Sequence, residues 1–344
     1  MDSITATSTL TAGSKDLHSF EPNAQRVRFL DQRMRSRLAD SLRHIWEQGE
    51  ALLQVQSDEF REFLNQLESR PVSPLAFSLY SDTVVAIEED DIDEASRLFQ
   101  QIVRLPVHPG GILITDLGDP REDAISQRYA SLLVDPESDD SLNFEIFPPS
   151  REAATKCRRF IKDAFDLMDG GDPELAAEIR ALLREIVLAA GTLEAKAMTF
   201  DGASAFMLWG AIIINANQPK GELTMVQMLA HESSHNLLFG FSADESLVEN
   251  SPEELFPSPL RLDPRPMYGI YHATFVLARM HRAVKGLLDS GILSAAQKEI
   301  AEKELADNAR LFASGIEIVD RFGKLTPLGK TVMEGAKAYM ANAQ

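Results

Sequence analysis

Residues 205–215, AFMLWGAIIIN, carry the strongest strand signal in the chain, and together with the helical stretch after them they constrain the fold most. The apolar, β-branched run predicts a buried strand. A turn bearing Pro and Gly (NQPKGEL, 217–223) comes next, and then a helical stretch rich in Met and Leu over about 225–239. Thr224 and Gln227 have the spacing of a capping box, and Gly240 stands where a left-handed C-cap belongs. A strand that turns directly into a capped helix must pack that helix beside the strand. The rest of the chain has to be arranged around this pair.

The flanking sequence is mainly helical. From Asn23 to about Leu53, Leu30, Met34, Leu38, Leu42 and Ile45 recur at steps of three and four residues, which predicts one long amphipathic helix. FSLYSDTVVAI (77–87), GGILITDL (110–117) and NFEIFPP (143–149) read as short strands or extended segments. The acidic run EEDDIDE (88–94) opens a helix through ASRLFQQIV, because carboxylates suit a helix N-terminus. Residues 151–190 predict two helices. In the second, Asp172 is the N-cap and Pro173 the first residue, and the helix runs to Gly191. Everything beyond Met267 is helical. The expectation is an α+β protein, mainly α-helical, with a small central mixed or antiparallel sheet. It has a disordered polar lead-in (1–20), a helical region with short strands (21–200) and a C-terminal region (201–344), the last two integrated into one globular unit.

Charge and cysteine content narrow the function. The 344 residues hold 34 Lys and Arg against 53 Asp and Glu, a formal charge of −19. That balance argues against nucleic acid, since phosphate binding needs clustered cations. The single cysteine, Cys157, excludes an internal disulfide and a cysteine-based zinc cluster, and its place in a helical pattern makes it a packing residue. No stretch approaches the roughly 18 uncharged apolar residues of a membrane helix, and the N-terminus lacks the features of a secretory signal. The expected compartment is the cytoplasm, with no membrane insertion. The oligomeric state is left open.

The stretch with chemical content is MLAHESSHNLLFG (228–240), which contains His-Glu-x-x-His. Two histidines four residues apart leave one face of a helix one turn apart and can converge on a cation. Glu232 projects about 100° round from His231, within reach of a water on such a cation. Zinc peptidases use this pattern, with Glu as general base. The third ligand decides the class. Leu238 and Phe241 stand where one peptidase class carries Gly and His, so that class is excluded. Glu245, Glu249, Glu253 and Glu254 offer carboxylates in a proline-broken segment. His272 lies early in the next helix among Tyr268, Tyr271 and Phe275. It is either a third ligand or a core histidine bonded to a carbonyl. His281 is half a helical revolution away and reads as exposed. Arg265 and Arg279 lie seven residues before and after His272. Either guanidinium could hold a carboxylate whose other end chelates the metal, or simply pair with a nearby acid.

LAHESSHNLL, an acidic loop, and then SPLRLDPRPMYGIYHATFVLARM resemble the His-Glu-x-x-His-containing peptide-modification proteins. These occur in bacterial clusters that make ribosomally synthesised, post-translationally modified peptides. The likeness covers mainly residues 223–285, and the block S-P-x-R-x-D-x-R-P-x-x-G-x-x-H is its more specific part. It implies a non-haem ferrous iron, 2-oxoglutarate- and O2-dependent enzyme that hydroxylates a side-chain carbon of a precursor peptide. His231 and His235 would be ligands, His272 the favoured third, and Arg265 or Arg279 the co-substrate clamp. Glu232 would then face substrate instead of acting as a base. The alternatives are a Zn(II) peptidase, in which Glu232 deprotonates the metal water, and a non-catalytic peptide-binding protein with a relict site. The strand at 205–215 is the expected peptide-facing edge.

Overall fold

The computed structural model describes residues 17–131, 146–191, 200–258 and 263–343. A sheet whose two central parallel strands are buried on both faces organises them. Strands β1 (Leu113–Asp116), β3 (Glu185–Gly191) and β5 (Ala211–Asn215) run parallel in that order. Two short antiparallel strands complete the sheet: β2 (Ile146–Phe147) pairs the end of β3, and β4 (Gly202–Ala203) pairs β5. Alternate residues separate two cores. Val187, Ala189, Ala211 and Ile213 face one; Ile186, Leu188, Ile212 and Ile214 face the other. Such double burial is why these strands read as continuous apolar runs. Both cores draw on residues from either side of position 200.

Helices cover both faces. The first core is built on α1 (Ala24–Leu53), α2 (Ser57–Ser69), α3 (Leu75–Glu88) and α4 (Ile92–Val103). Helix α5 (Ala124–Ser131) comes after β1. The second core packs α6 (Arg151–Gly171) and α7 (Pro173–Leu182) against the sheet and against α8 (Glu222–Phe241). A two-stranded ribbon, β6 (Leu255–Phe256) with β7 (Arg265–Pro266), leads into α9 (Met267–Ser290), α10 (Ala295–Phe322) and α11 (Pro327–Asn342). Helix starts obey the local chemistry. Asn23, Asp91, Ser150, Asp172, Ser294 and Thr326 each accept a backbone N–H of the first turn, and Pro173 and Pro327 open their helices.

Several expectations are corrected. Residues 77–87 are helical, because Leu75, Leu79, Thr83 and Ala86 share a buried face at helical spacing despite their β-branched neighbours. The second helix of 151–190 stops at Leu182, and the rest of that run is β3. A continuous apolar run does not distinguish a buried strand from a buried helix by period. Strand β5 begins only at Ala211, after a 3₁₀ turn at Phe206–Leu208, and lies in mid-sheet between β3 and β4. It is therefore not an edge, and the peptide-facing role expected of it falls. Thr224 and Gln227 lie inside α8, which starts at Glu222 behind Gly221. Gly240 is still helical. Its missing Cβ would lie 2.7 Å from Trp209 Cη2, so glycine is there to let the indole onto the helix. Residues 1–16 lie outside the described residues, while Leu17 and Phe20 are already in the core. Cys157 is buried and free, as a packing residue should be.

One buried ion cluster ties four parts of the chain together. Glu178 of α7 receives hydrogen bonds from the guanidinium groups of Arg26 (α1) and Arg279 (α9), and from the backbone N–H of Asn23 at 2.7 Å. The same arginines donate to the carbonyls of Ser19 and Phe20. Burial would raise the Glu178 carboxyl, but Arg279 and Arg26 hold it below the usual range. Glu178→Ala would leave two buried guanidinium groups without a counter-charge. We expect a loss of about 3–5 kcal/mol, read as a lower urea midpoint. His281 is buried, not exposed, and its Nδ1 lies 2.9 Å from Tyr339 Oη. Burial, with a smaller contribution from Lys285, lowers it from 6.5 to about 4. The unfolded chain therefore binds a proton in that window that the folded state does not. Stability should fall as pH drops from 6.5 to 4, and less steeply in His281→Gln.

Candidate metal centre

Helix α8 is pinned to the sheet by the residue directly after the motif. The Asn236 amide accepts from Gly210 N–H at 3.0 Å and donates to Ala211 O at 3.2 Å, at the start of β5. This fixes the rotation of the helix and hence the directions of His231, Glu232 and His235. The Nε2 atoms of His231 and His235 lie 3.2 Å apart. Two imidazole nitrogens at that separation hold either one proton or one cation between them. Ligands about 2.05 Å from a tetrahedral centre are about 3.3 Å apart, so the pair fits a metal such as zinc or ferrous iron. Burial, then the neighbouring imidazoles, holds His235 well below its usual range. It is therefore the neutral species a metal requires. Both rings are only half-buried, which leaves the pair open on one side.

His272 comes to the same cluster from α9 but approaches the other edge of His235. Its Nδ1 is 3.1 Å from His235 Nδ1, and the two rings stack with centroids 5.4 Å apart. Burial alone brings His272 down to about 3. Its Nε2 is buried without a hydrogen-bond partner. The structure thus brings the three predicted histidines together, yet only two present nitrogens to a common point. Among the described residues, no three His, Cys, Asp or Glu side chains are grouped so as to hold a metal. The carboxylate alternatives are not at the centre. Glu245, Glu249, Glu253 and Glu254 are all exposed. The Glu249 N–H donates to Lys324 O, and Glu254 pairs with Lys324.

Glu232 is buried beneath β4. Ser204 Oγ donates to its Oε2 at 3.0 Å, and its Oε1 is 3.9 Å from His231 Nε2. A Cβ on Gly202 would meet that Oε1 at 2.7 Å, so glycine is what lets the strand lie against the carboxyl. Burial pushes Glu232 up to about 8. The Asp201 charge adds to this, and the Ser204 hydroxyl works against it. Sequence reasoning missed Gly202, Ser204 and Asn236, since small polar residues beside a strand or helix carry no motif of their own.

The two arginines part company. Arg279 is fully buried in the Glu178 cluster and donates to Phe20 O at 2.8 Å, so it is no clamp at this centre. Helical spacing put it on the His272 side of α9, but the N-terminal segment and α7 claim its guanidinium. Arg265 lies on β7, just before α9, paired with Asp263 at 2.7 Å. Aromatic rings gather beside His272. Tyr268 sits 4.1 Å from the His272 ring, and Phe239 touches both His272 and Phe206. Tyr268 and Phe206 remain 42% and 47% exposed.

No family model matches the chain, and no curated protein matches it. No helix of the described residues is long and apolar enough to cross a membrane. Replacing either His231 or His235 with Ala should weaken Co(II) or Zn(II) binding by more than about 100-fold, beyond what loss of an orienting partner costs. Equilibrium dialysis checks this.

Proposed function

We propose that the chain is a metal-dependent peptide-modifying oxygenase, which uses ferrous iron and 2-oxoglutarate to hydroxylate a side-chain carbon of a ribosomally made precursor peptide. The observation that carries the metal reading is the pair of Nε2 atoms 3.2 Å apart on a buried helix, open on one side. The choice of iron and 2-oxoglutarate rests on the resemblance of residues 223–285. When bound, ferrous iron with 2-oxoglutarate would supply the oxidising power to place one oxygen atom of O2 in a C–H bond, leaving succinate and carbon dioxide. His231 and His235 would hold the metal. With Arg279 withdrawn into the core, Arg265 is the remaining partner for the distal carboxylate of the co-substrate. Tyr268 and Phe206 supply apolar walls that exclude water from the substrate side chain.

The edge of the sheet on this side is β4, next to Glu232, and it suits an extended peptide better than the mid-sheet β5. Glu232 would line the substrate path, held by Ser204. A second reading, a zinc peptidase, draws support from the same carboxyl, whose Oε1 stands 3.9 Å from His231 Nε2, where a general base is needed. The deciding experiment is anaerobic loading with ferrous iron, then 2-oxoglutarate, O2 and the candidate precursor peptide encoded beside the gene. Succinate and a gain of about 16 Da, one oxygen atom, are expected. Cleavage with zinc and no co-substrate would replace this reading with the peptidase. Substantial activity retained in Glu232→Gln would rule out the peptidase, which needs that carboxylate as its base.

A further inference from the structure

The outward nitrogens of the two motif imidazoles both meet side chains of α9. His235 Nδ1 faces His272 Nδ1 at 3.1 Å, and His231 Nδ1 faces Met280 Sδ at 3.4 Å. His272 and Met280 are eight residues apart, close to two helical turns, so one stripe of α9 backs both rings. Histidines that bind a metal through Nε2 carry their proton on Nδ1 and donate it to an orienting acceptor. We propose that His272 is that acceptor for His235, with Met280 in the same role for His231, and that His272 is not a third ligand. The inference rests on the metal reading above.

Proton placement leads to this assignment. If His235 binds a cation through Nε2, its neutral ring has Nδ1–H, which points at His272 Nδ1. His272 must then offer a lone pair at Nδ1, and its own proton sits on Nε2. Its Nδ1 is taken by His235 and its Nε2 is protonated, so neither nitrogen is a ligand. The opposite order, with His272 Nδ1–H donating to His235 Nδ1, would put the His235 proton on Nε2 and block the metal. A metal at His235 Nε2 and a ligating His272 are therefore mutually exclusive in the arrangement observed. Sulfur is a weak acceptor, so Met280 orients His231 less firmly than His272 orients His235. The remaining coordination positions are left to water and to ligands from solution, which suits a centre that must take a chelating co-substrate.

The test uses Co(II) as probe on the full chain and counts imidazoles by X-ray absorption. No third imidazole other than His272 approaches the pair among the described residues, so the wild type alone is decisive. Two imidazoles are expected, and three would overturn the assignment while leaving the metal reading intact. In His272→Leu the count should stay at two and Co(II) affinity should fall about 10- to 100-fold, the range for an orienting partner. His272→Gln, whose amide oxygen can accept from His235 Nδ1–H, should recover part of that loss. A drop in the count on His272→Leu, or no recovery with Gln, would sink the proposal. Failure of the wild type to bind Co(II) at all would overturn the metal reading, and this inference with it.

Discussion

Burying α8 on nearly every side obliges each polar group it carries to find a partner inside the fold. Sixteen of its 20 residues are buried, more than an amphipathic helix needs. Gln227 accepts from Asn308 at 3.2 Å, Ser234 donates back to Ala230 O, and Asn236 bonds to the sheet. Glu232 takes the Ser204 hydroxyl, and His235 has an imidazole on each side. Beyond the first turn, only His231 and His235 are not fully buried. The candidate centre is thus built on two histidines that stay partly exposed on an otherwise buried helix.

The same burial explains what could be read in the sequence. Helix α1 is legible because one side faces water and the apolar positions keep their period. Helix α6 is legible for the same reason, with Ser150 as its cap. The boundaries of α8 are not legible, because it is buried on nearly every side and its N-cap is Gly221, which has no side-chain bond. Thr224 with Gln227, and Gly240, imitate cap chemistry while serving packing. Strand β3 was hidden for a related reason: with both faces covered, IVLAA has neither a two-residue nor a helical period.

At the site, local spacing was sufficient and long-range competition was not visible. The i, i+4 geometry of His231 and His235 depends only on the helix and is found as expected. His272 was legible as a neighbour, since an aromatic-rich helix start gives an imidazole a reason to be buried. The nitrogen it presents depends on the lateral register of α9 against α8, which no local pattern encodes. Arg279 illustrates the same limit: its true partner, Glu178, is 101 residues away, and a helical wheel cannot weigh that carboxylate against a ligand. His281 looked exposed beside Arg282, yet α11 covers it through Tyr339.

The Glu178 cluster also bears on the order in which the chain can become native. Arg279 donates to Phe20 O across 259 residues, and Arg26 meets Glu178 across 152. During synthesis the segment from Leu17 to Phe20 emerges long before α9 exists, so Phe20 has to wait for its guanidinium. Contacts of such separation close late, because their loop entropy must be overcome before they contribute. Because α9 also carries His272 and Met280, the backing of the two motif histidines is assembled in that same late step. A nascent chain released before α9 is complete would have the His-Glu-x-x-His helix but nothing to hold its rings.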